Sequence, residues 1–412
     1  MKYIDELLQG HEVEWKPLGE VCEIKGRIGF RGYTRNDLVE QGEGAITLSP
    51  SNIINQQLSF ENCSYISWAK YEESPEIKVE PYDVIFTKTA SVGKTALVKT
   101  LPHEATINPQ LVLLKRIKCK PAYLAYILQN DSFQQSVKQL TGQGSVPNVS
   151  QSALAKILIP LPPLSVQEEI VRILDKFTTL EAELEAELDC RKRQYEFYRN
   201  QLLSNDVLNG GDKKIKDVAL IPLGNIGEVC MCKRILKQQT SEKGDVPFYK
   251  IGTFGKVPNS FISKELFYKY KEKYNYPVTG EVLISASGTI GRAVIYDGKE
   301  AYFQDSNIVW IKNDESQVLN KYLYYYYQIA KWNVAEGGTI QRLYNDNLRK
   351  TLIPIPYPSD RQKSLAEQHR IVSILDKFDT LTTSISEGLP KEIELRRKQY
   401  EYYREQLLSF RH

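Results

Sequence analysis

The stretch RKRQYEFYRNQLLS at 191–204 returns as RRKQYEYYREQLLS at 396–409. A long-period repeat constrains a fold more than composition does, because each copy must find an equivalent environment. The echo is wide. QEEIVRILDKFTTL (167–180) matches QHRIVSILDKFDTL (368–381), LIPLP (158–162) matches LIPIP (352–356), and PLGEVCEIK (17–25) answers PLGNIGEVCMCK (222–233). DVIFTKTASVGKTALV (83–98) aligns with EVLISASGTIGRAVIY (281–296). The 412 residues are therefore two units of about 200, each a variable part followed by a closely repeated tail. The tails do one job twice; the variable parts do two different jobs.

The tails read as helices. From Ile170 apolar residues fall at Leu174, Phe177, Leu184, Leu188, Tyr195, Tyr198 and Leu202, in steps of three and four, with Glu181 and Arg191 standing in the same seam. Pro162-Pro163 precedes the run, and Ser165 is placed to cap its first turn. Forty residues of helix would reach roughly 60 Å at about 1.5 Å per residue. The second tail keeps the seam through Ile371, Leu375 and Phe378, and is then interrupted at Gly388-Leu389-Pro390, where a break and a restart at Pro390 are expected. A helix with such a stripe needs a partner, and the nearest is its own copy. A two-fold relation would set the tails antiparallel, with the variable parts at opposite ends. The alternative is that each stripe packs on its own variable part.

The variable parts alternate strand-like runs (AITLS, DVIFT, KTALV, LVLLK; then EVLIS, RAVIY, NIVWI) with turns, and helical stretches follow at AYLAYILQNDSFQQSVKQL and KYLYYYYQIAKWNVA. The expected fold class is α+β: two pseudo-repeated α/β domains separated by two long helices packed as an antiparallel coiled coil. The expected boundaries are 1–160 for the first domain, 161–204 for the central helix, 205–217 for a polar, Gly-rich linker, 218–357 for the second domain and 358–412 for the C-terminal helix.

Net charge is +3, but it is unevenly placed: 13–160 carries +2 and 213–357 carries +7, whereas the tails 165–204 and 361–412 carry −3 and +2. A polyanion would prefer the variable parts. No run approaches 18 apolar residues, so no membrane span is expected, and MKYIDELLQGHEVEW lacks the apolar core of a secretory signal. Six scattered cysteines without a CxxC pair, and four histidines, argue against zinc and fit reduced thiols in a cytoplasm.

Three pairs of loops carry candidate chemistry. KGRIGFRGYTR (25–35) interleaves Lys25, Arg27, Arg31 and Arg35 with aromatics and glycines, and CKRILKQQTSEKG (232–244), with Lys233 and Arg234, is its basic counterpart. Bases of this kind bind phosphates, and glycines permit close approach; a solvated basic loop is the plainer alternative. SVGKT (91–95) resembles the end of a phosphate-binding loop but has Lys88 where that motif needs glycine, and its copy reads TIGRA. A tight turn between strands is the ordinary reading, yet both turns keep a base after the glycine, Lys94 and Arg292, at a tip that could meet DNA. TGQGSVPNVS (141–150) and EGGTIQRLYND (336–346) could be plain turns, or could present Gln143, Asn148, Gln341 and Arg342 to base edges. No G-x-S-x-G elbow, HExxH, Asn/Asp-Pro-Pro-Tyr/Phe tetrapeptide or clear G-x-G-x-x-G is present. The sequence points to no catalytic chemistry of its own.

Duplicated units of variable domain plus helix, carrying LPPLSVQEEIVRILDKF and RKRQYEFYRNQLL, resemble the specificity (S) subunit of type I restriction–modification systems, over essentially the whole chain. The resemblance implies that the variable parts are target recognition domains, each reading one half of an asymmetric bipartite site on double-stranded DNA. It implies that the helices set the spacing and hold two methyltransferase (M) subunits, with two restriction (R) subunits optional. Tyr195, Tyr198, Leu202, Tyr400, Tyr403 and Leu407 become the candidate helix or partner contacts. No cofactor is expected on this chain; S-adenosylmethionine, ATP and magnesium would belong to partner subunits in a bacterial or archaeal cytoplasm. Two rivals remain at this level: a coiled-coil scaffold without sequence preference on DNA, and a nucleotide-binding protein using residues 91–95.

Overall fold

The computed structural model describes residues 3–29, 32–142, 146–203, 217–332, 341–384 and 386–410. The linker expected at 205–217 lies outside these residues except for Asp217. The chain divides into two compact units, Met1–Leu184 with Ile393–His412, and Glu185–Glu392. Each unit thus joins one variable part to a portion of both tails.

The first unit is built on an antiparallel sheet ordered Glu23–Gly26, Leu111–Lys115, Val84–Thr87, Thr95–Leu97. Val84–Thr87 is buried at every position, which explains its apolar run Val84-Ile85-Phe86. A second sheet is ordered Ala105–Ile107, Gly44–Leu48, Ser64–Ser67, Leu38–Val39, its first pair parallel. The strands Glu14–Pro17 and Leu158–Leu161 pair antiparallel and bring the ends of the variable part together. The first strand ends at the proline that opens the repeated PLG, and the second is the repeated LIPLP stretch. The stretch 122–140, expected as one helical run, is two helices, Pro121–Gln129 and Asp131–Leu140. Asn130 takes an extended backbone between them and caps the second by accepting from the Ser132 N–H.

The second unit repeats this plan. Its sheet runs Glu228–Cys230, Ile308–Lys312, Val282–Ser285, Ala293–Ile295, and Val218–Pro222 pairs with Leu352–Pro356. Its second sheet has three strands, Phe261–Ile262, Val246–Tyr249 and Tyr302–Phe303, and beside it lies the helix Lys264–Lys273. The first unit has only the short helix Trp68–Glu72 after its own second-sheet strand Ser64–Ser67. The first sheets match; the second sheets diverge.

The central helix spans Leu164–Leu203. Its entry differs from expectation: the Pro163 carbonyl accepts from the N–H groups of Val166 (2.9 Å) and Gln167 (3.1 Å), so Ser165 lies inside the first turn and does not cap it. The second tail is two helices, Arg361–Thr383 and Leu389–Leu408. Gly388, at φ +83°, turns the chain between them. Among the described residues no helix is long and apolar enough to cross a membrane.

Each unit docks a tail helix on its variable part through the same joint. In the first, Tyr126 Oη donates to Asp175 Oδ1 (2.6 Å), Tyr123 Oη to the Pro160 carbonyl (2.9 Å), and Gln167 Oε1 accepts from the Lys120 N–H (3.1 Å). In the second, Tyr325 donates to Asp376 (2.6 Å), Tyr322 to the Pro354 carbonyl (2.8 Å), and Gln368 accepts from the Leu319 N–H (2.9 Å). Burial, and then the bond to the carboxylate, push both the Tyr126 and Tyr325 hydroxyls far above the ordinary phenol range, so they stay donors. Two predictions follow from this packing. Tyr126→Phe leaves Asp175 short of a donor and should cost about 1–3 kcal/mol, read as lost hydrogen-exchange protection in residues 164–184. Tyr325→Phe should cost less, because Asp376 keeps Lys321 Nζ at 2.6 Å. Gly388→Ala would place a Cβ 2.5 Å from the Thr380 carbonyl oxygen at a positive φ. It should destabilise the turn by about 1–3 kcal/mol or more, measured as a lowered melting temperature and faster proteolysis around residue 388.

Candidate nucleic-acid interface

The repeated tail ends are used inward first. In the first unit Tyr403 stacks on Phe177, with ring centroids 5.3 Å apart, and Arg397 Nη2 pairs with Glu181 at 2.6 Å, which fixes the two helices antiparallel. Glu181, a polar intruder in the seam, is therefore an interhelix ion-pair partner. In the second unit Tyr198 stacks on Phe378, centroids 5.4 Å apart, and the tails again pair. Phe177 and Phe378 are equivalent residues of the two repeats, as are Tyr198 and Tyr403, so the contact is reciprocal. Leu407 and Leu408 are buried in the first unit's core with Leu124 and Phe133, and the Asn130 side chain donates to the Leu408 carbonyl (3.0 Å). Tyr195 and Leu203 are buried in the second unit's core with Tyr325 and Tyr327.

Of the six residues expected as helix or partner contacts, Tyr195 and Leu407 are thus buried, and Leu202 and Tyr400 are half-buried against the same cores. Burial pushes the Tyr195 hydroxyl up to about 12. Tyr198 and Tyr403 keep one ring face packed and remain 41% and 36% exposed. Sequence reasoning passed over the adjacent pair, Phe197 and Tyr402, which stand at equivalent positions and are 56% and 60% exposed. The signal was available: both copies keep an aromatic one residue before the seam tyrosine.

The first variable part uses its predicted bases in several ways. Arg27 is buried, with Nε donating to the Ile107 carbonyl (3.2 Å), Nη2 to Thr106 Oγ1 (3.2 Å), and the guanidinium over the Tyr33 ring. Desolvation lowers its pKa, with Tyr33 and nearby carboxylates opposing. This arginine joins the two sheets and presents no charge at the surface. Lys25 pairs with Glu23 at 3.0 Å. Arg35 is exposed on the turn Arg35–Asp37, which Thr34 caps. Arg31 and Gln143 lie outside the described residues. Lys94 Nζ reaches the carbonyls of Pro50 (3.2 Å) and Ile53 (3.4 Å). The 91–95 stretch links two antiparallel strands and leads into no helix, unlike a phosphate-binding loop. Asn148 is exposed, and its Oδ1 accepts from Thr89 Oγ1 (2.8 Å) beside that turn.

The second variable part concentrates its bases. Arg234, Lys237, Lys250 and Arg342 line one cleft of 330 Å³, together with Asp305 and Asn307. Residues 108 positions apart in sequence, Arg234 and Arg342, are brought together there. Lys237 and Lys250 were not singled out from sequence; the basic composition of 232–250 was their only signal. Lys233 lies over the Tyr274 ring at 5.2 Å, and exposed Gln341 precedes Arg342. Arg292 is turned back, its Nη1 donating to the Phe254 carbonyl (2.9 Å). The isolated bridges Thr89–Asn148 and Ser287–Arg342 are equivalent, so an amide in one unit and a guanidinium in the other occupy one structural position.

Comparison with known proteins bears on both units. The family model for the type I restriction modification DNA specificity domain matches twice, at residues 11–189 and 215–395. A putative type I restriction enzyme specificity subunit of Haemophilus influenzae is 47% identical over 430 residues, covering 99% of this chain and 98% of the relative. The EcoR124I/EcoR124II specificity subunit of Escherichia coli is 30% identical, covering 100% of this chain and 97% of the relative. Among solved structures, a chain from a study of type I restriction–modification complex assembly superposes with a TM-score of 0.58 at 18% identity, covering 97% of this chain and 98% of that one. The HsdS subunit from Thermoanaerobacter tengcongensis gives 0.52 at 16% identity, with 97% of each chain covered. These two establish likeness of fold. With its duplicated units, each matched by the same family model, and relatives of nearly equal length, this chain belongs to the type I restriction–modification DNA specificity subunit family.

Proposed function

We propose that this chain gives a type I restriction–modification complex its DNA sequence specificity, each variable part reading one half of an asymmetric bipartite target while the paired helices set the gap between them. The observation that carries this reading is the contrast between joint and surface. The docking joint is the same in both units, Tyr126–Asp175 and Tyr325–Asp376. The surfaces differ: an exposed Asn148 in one, a cleft with four bases in the other. Equal joints position two readers, and unequal surfaces make the half-sites differ. Adenine-N6 methylation, S-adenosylmethionine, ATP and magnesium belong in this reading to partner subunits in the cytoplasm of a bacterium or archaeon. Co-expression with its methyltransferase subunit in a host lacking adenine methylation should place N6-methyladenine in one split, asymmetric motif, absent without this chain. Methylation without a motif would sink the reading.

Two M subunits would be held at the equivalent aromatic ridges, Phe197 with Tyr198 and Tyr402 with Tyr403. Exposed aromatics that the fold does not need are typical binding anchors. Phe197→Ala and Tyr402→Ala should each leave folding intact and weaken one M site by about 2 kcal/mol, roughly thirtyfold, measured by the stoichiometry and affinity of the purified complex. Unchanged affinity in both variants would place M elsewhere.

A further inference from the structure

The cleft of the second variable part contains an arginine held in a defined pose. Arg234 donates from Nε to Asp305 Oδ2 at 2.8 Å. The arginine side chain is 68% exposed and the aspartate 14%. Such an open pair contributes little to folding, but it does orient the guanidinium. With Nε taken by a carboxylate, the two Nη groups remain as a planar fork on an arginine that lines the cleft. A fork of two parallel N–H donors matches the O6 and N7 acceptors of guanine in the major groove, a geometry that lysine cannot supply. Lys237 and Lys250 on the same cleft are point charges suited to flanking phosphates.

Asp305 is itself set by the backbone. The Asn307 N–H closes on the Asp305 carbonyl (2.7 Å), and Ser306 is held at φ +59°, a conformation that non-glycine residues rarely adopt. Among the described residues the first unit shows no such pair at the corresponding positions. Strand register puts Gly29 where the second has Arg234, and the corresponding turn there is Asn108-Pro109-Gln110, without a carboxylate. The pair therefore belongs to one half-site only.

We propose that Arg234, positioned by Asp305, reads a guanine in the half-site of the second variable part, and that Asp305 is a specificity-determining positioning residue. This rests on the reading of that domain as a DNA recognition module. The test uses the complex with its methyltransferase subunit, comparing the wild type with Arg234→Lys, which keeps the charge but loses the fork, and Asp305→Asn, which keeps the arginine but loosens its pose. Methylation motifs are mapped in cells, and the purified complexes are titrated against duplexes varied one pair at a time. Both variants should keep the first half-site and lose discrimination at the same single G·C pair of the second, by about tenfold to a hundredfold. An unchanged motif in both variants would overturn the proposal. So would uniform weakening on all sequences by Arg234→Lys with no effect of Asp305→Asn, the signature of a phosphate contact. A wild-type complex that methylates without any split motif would overturn the functional reading as well, and the wild-type lane alone reveals that case.

Discussion

The structure depends on the burial of two short helix ends. Residues around Leu407 and Leu408 fill the apolar core of the first unit, and Tyr195 and Leu203 fill that of the second. A fully buried leucine contributes about 1.5–3 kcal/mol, and the first site adds a bond from Asn130 to the helix-end carbonyl of Leu408. Each variable part alone would leave an apolar face beside its tyrosine-bearing helix. Supplying the covering residues from a separate stretch of chain removes that exposed face, and it explains why the basic, tyrosine-rich sequence is repeated so closely. Its spacing is dictated by what each position meets: Tyr198 and Tyr403 meet equivalent phenylalanines, and the last leucines meet the core.

Confining conservation between the copies to the joint leaves the rest free to differ. The first sheet and its tyrosine helix carry the joint and match between units. The second sheet, which supplies no residue to the joint, does not: one unit places the short helix Trp68–Glu72 there, the other the ten-residue helix Lys264–Lys273 with its surrounding tyrosines. Charge follows the same division, with most of the positive excess in the second variable part.

How much of this was legible in the sequence depended on whether one copy could be compared with the other. The duplication, the helical tails, the buried strands such as Val84–Thr87 and the interruption near Gly388 were all readable, since repeats and periodicity encode them directly. Polar residues were harder. Arg27 sits in a string that looks like a DNA-binding loop, yet its guanidinium is consumed by Ile107 and Thr106, partners 80 and 79 positions away. Nothing local could signal that. Tyr195 and Tyr198 are equally aromatic and equally helical; which one is buried depends on the facing Phe378 and the docked core, both distant in sequence. The Tyr126–Asp175 joint was within reach, because Tyr-x-x-Tyr and Leu-Asp-Lys-Phe recur at matching places in both copies, but only a structure says that they meet.

The interleaving of chain and core sets an order of events during synthesis. The first unit needs residues 393–412, yet 185–392 must be made before them. At about 5–20 residues per second, the first variable part waits on the order of tens of seconds with its tyrosine helix uncovered. The second unit, closed by 185–203 already in hand, meets no such delay. The domain that emerges first from the ribosome is thus the one that finishes last, and for that interval it is a natural client for whatever chaperone the cell offers to exposed apolar surface.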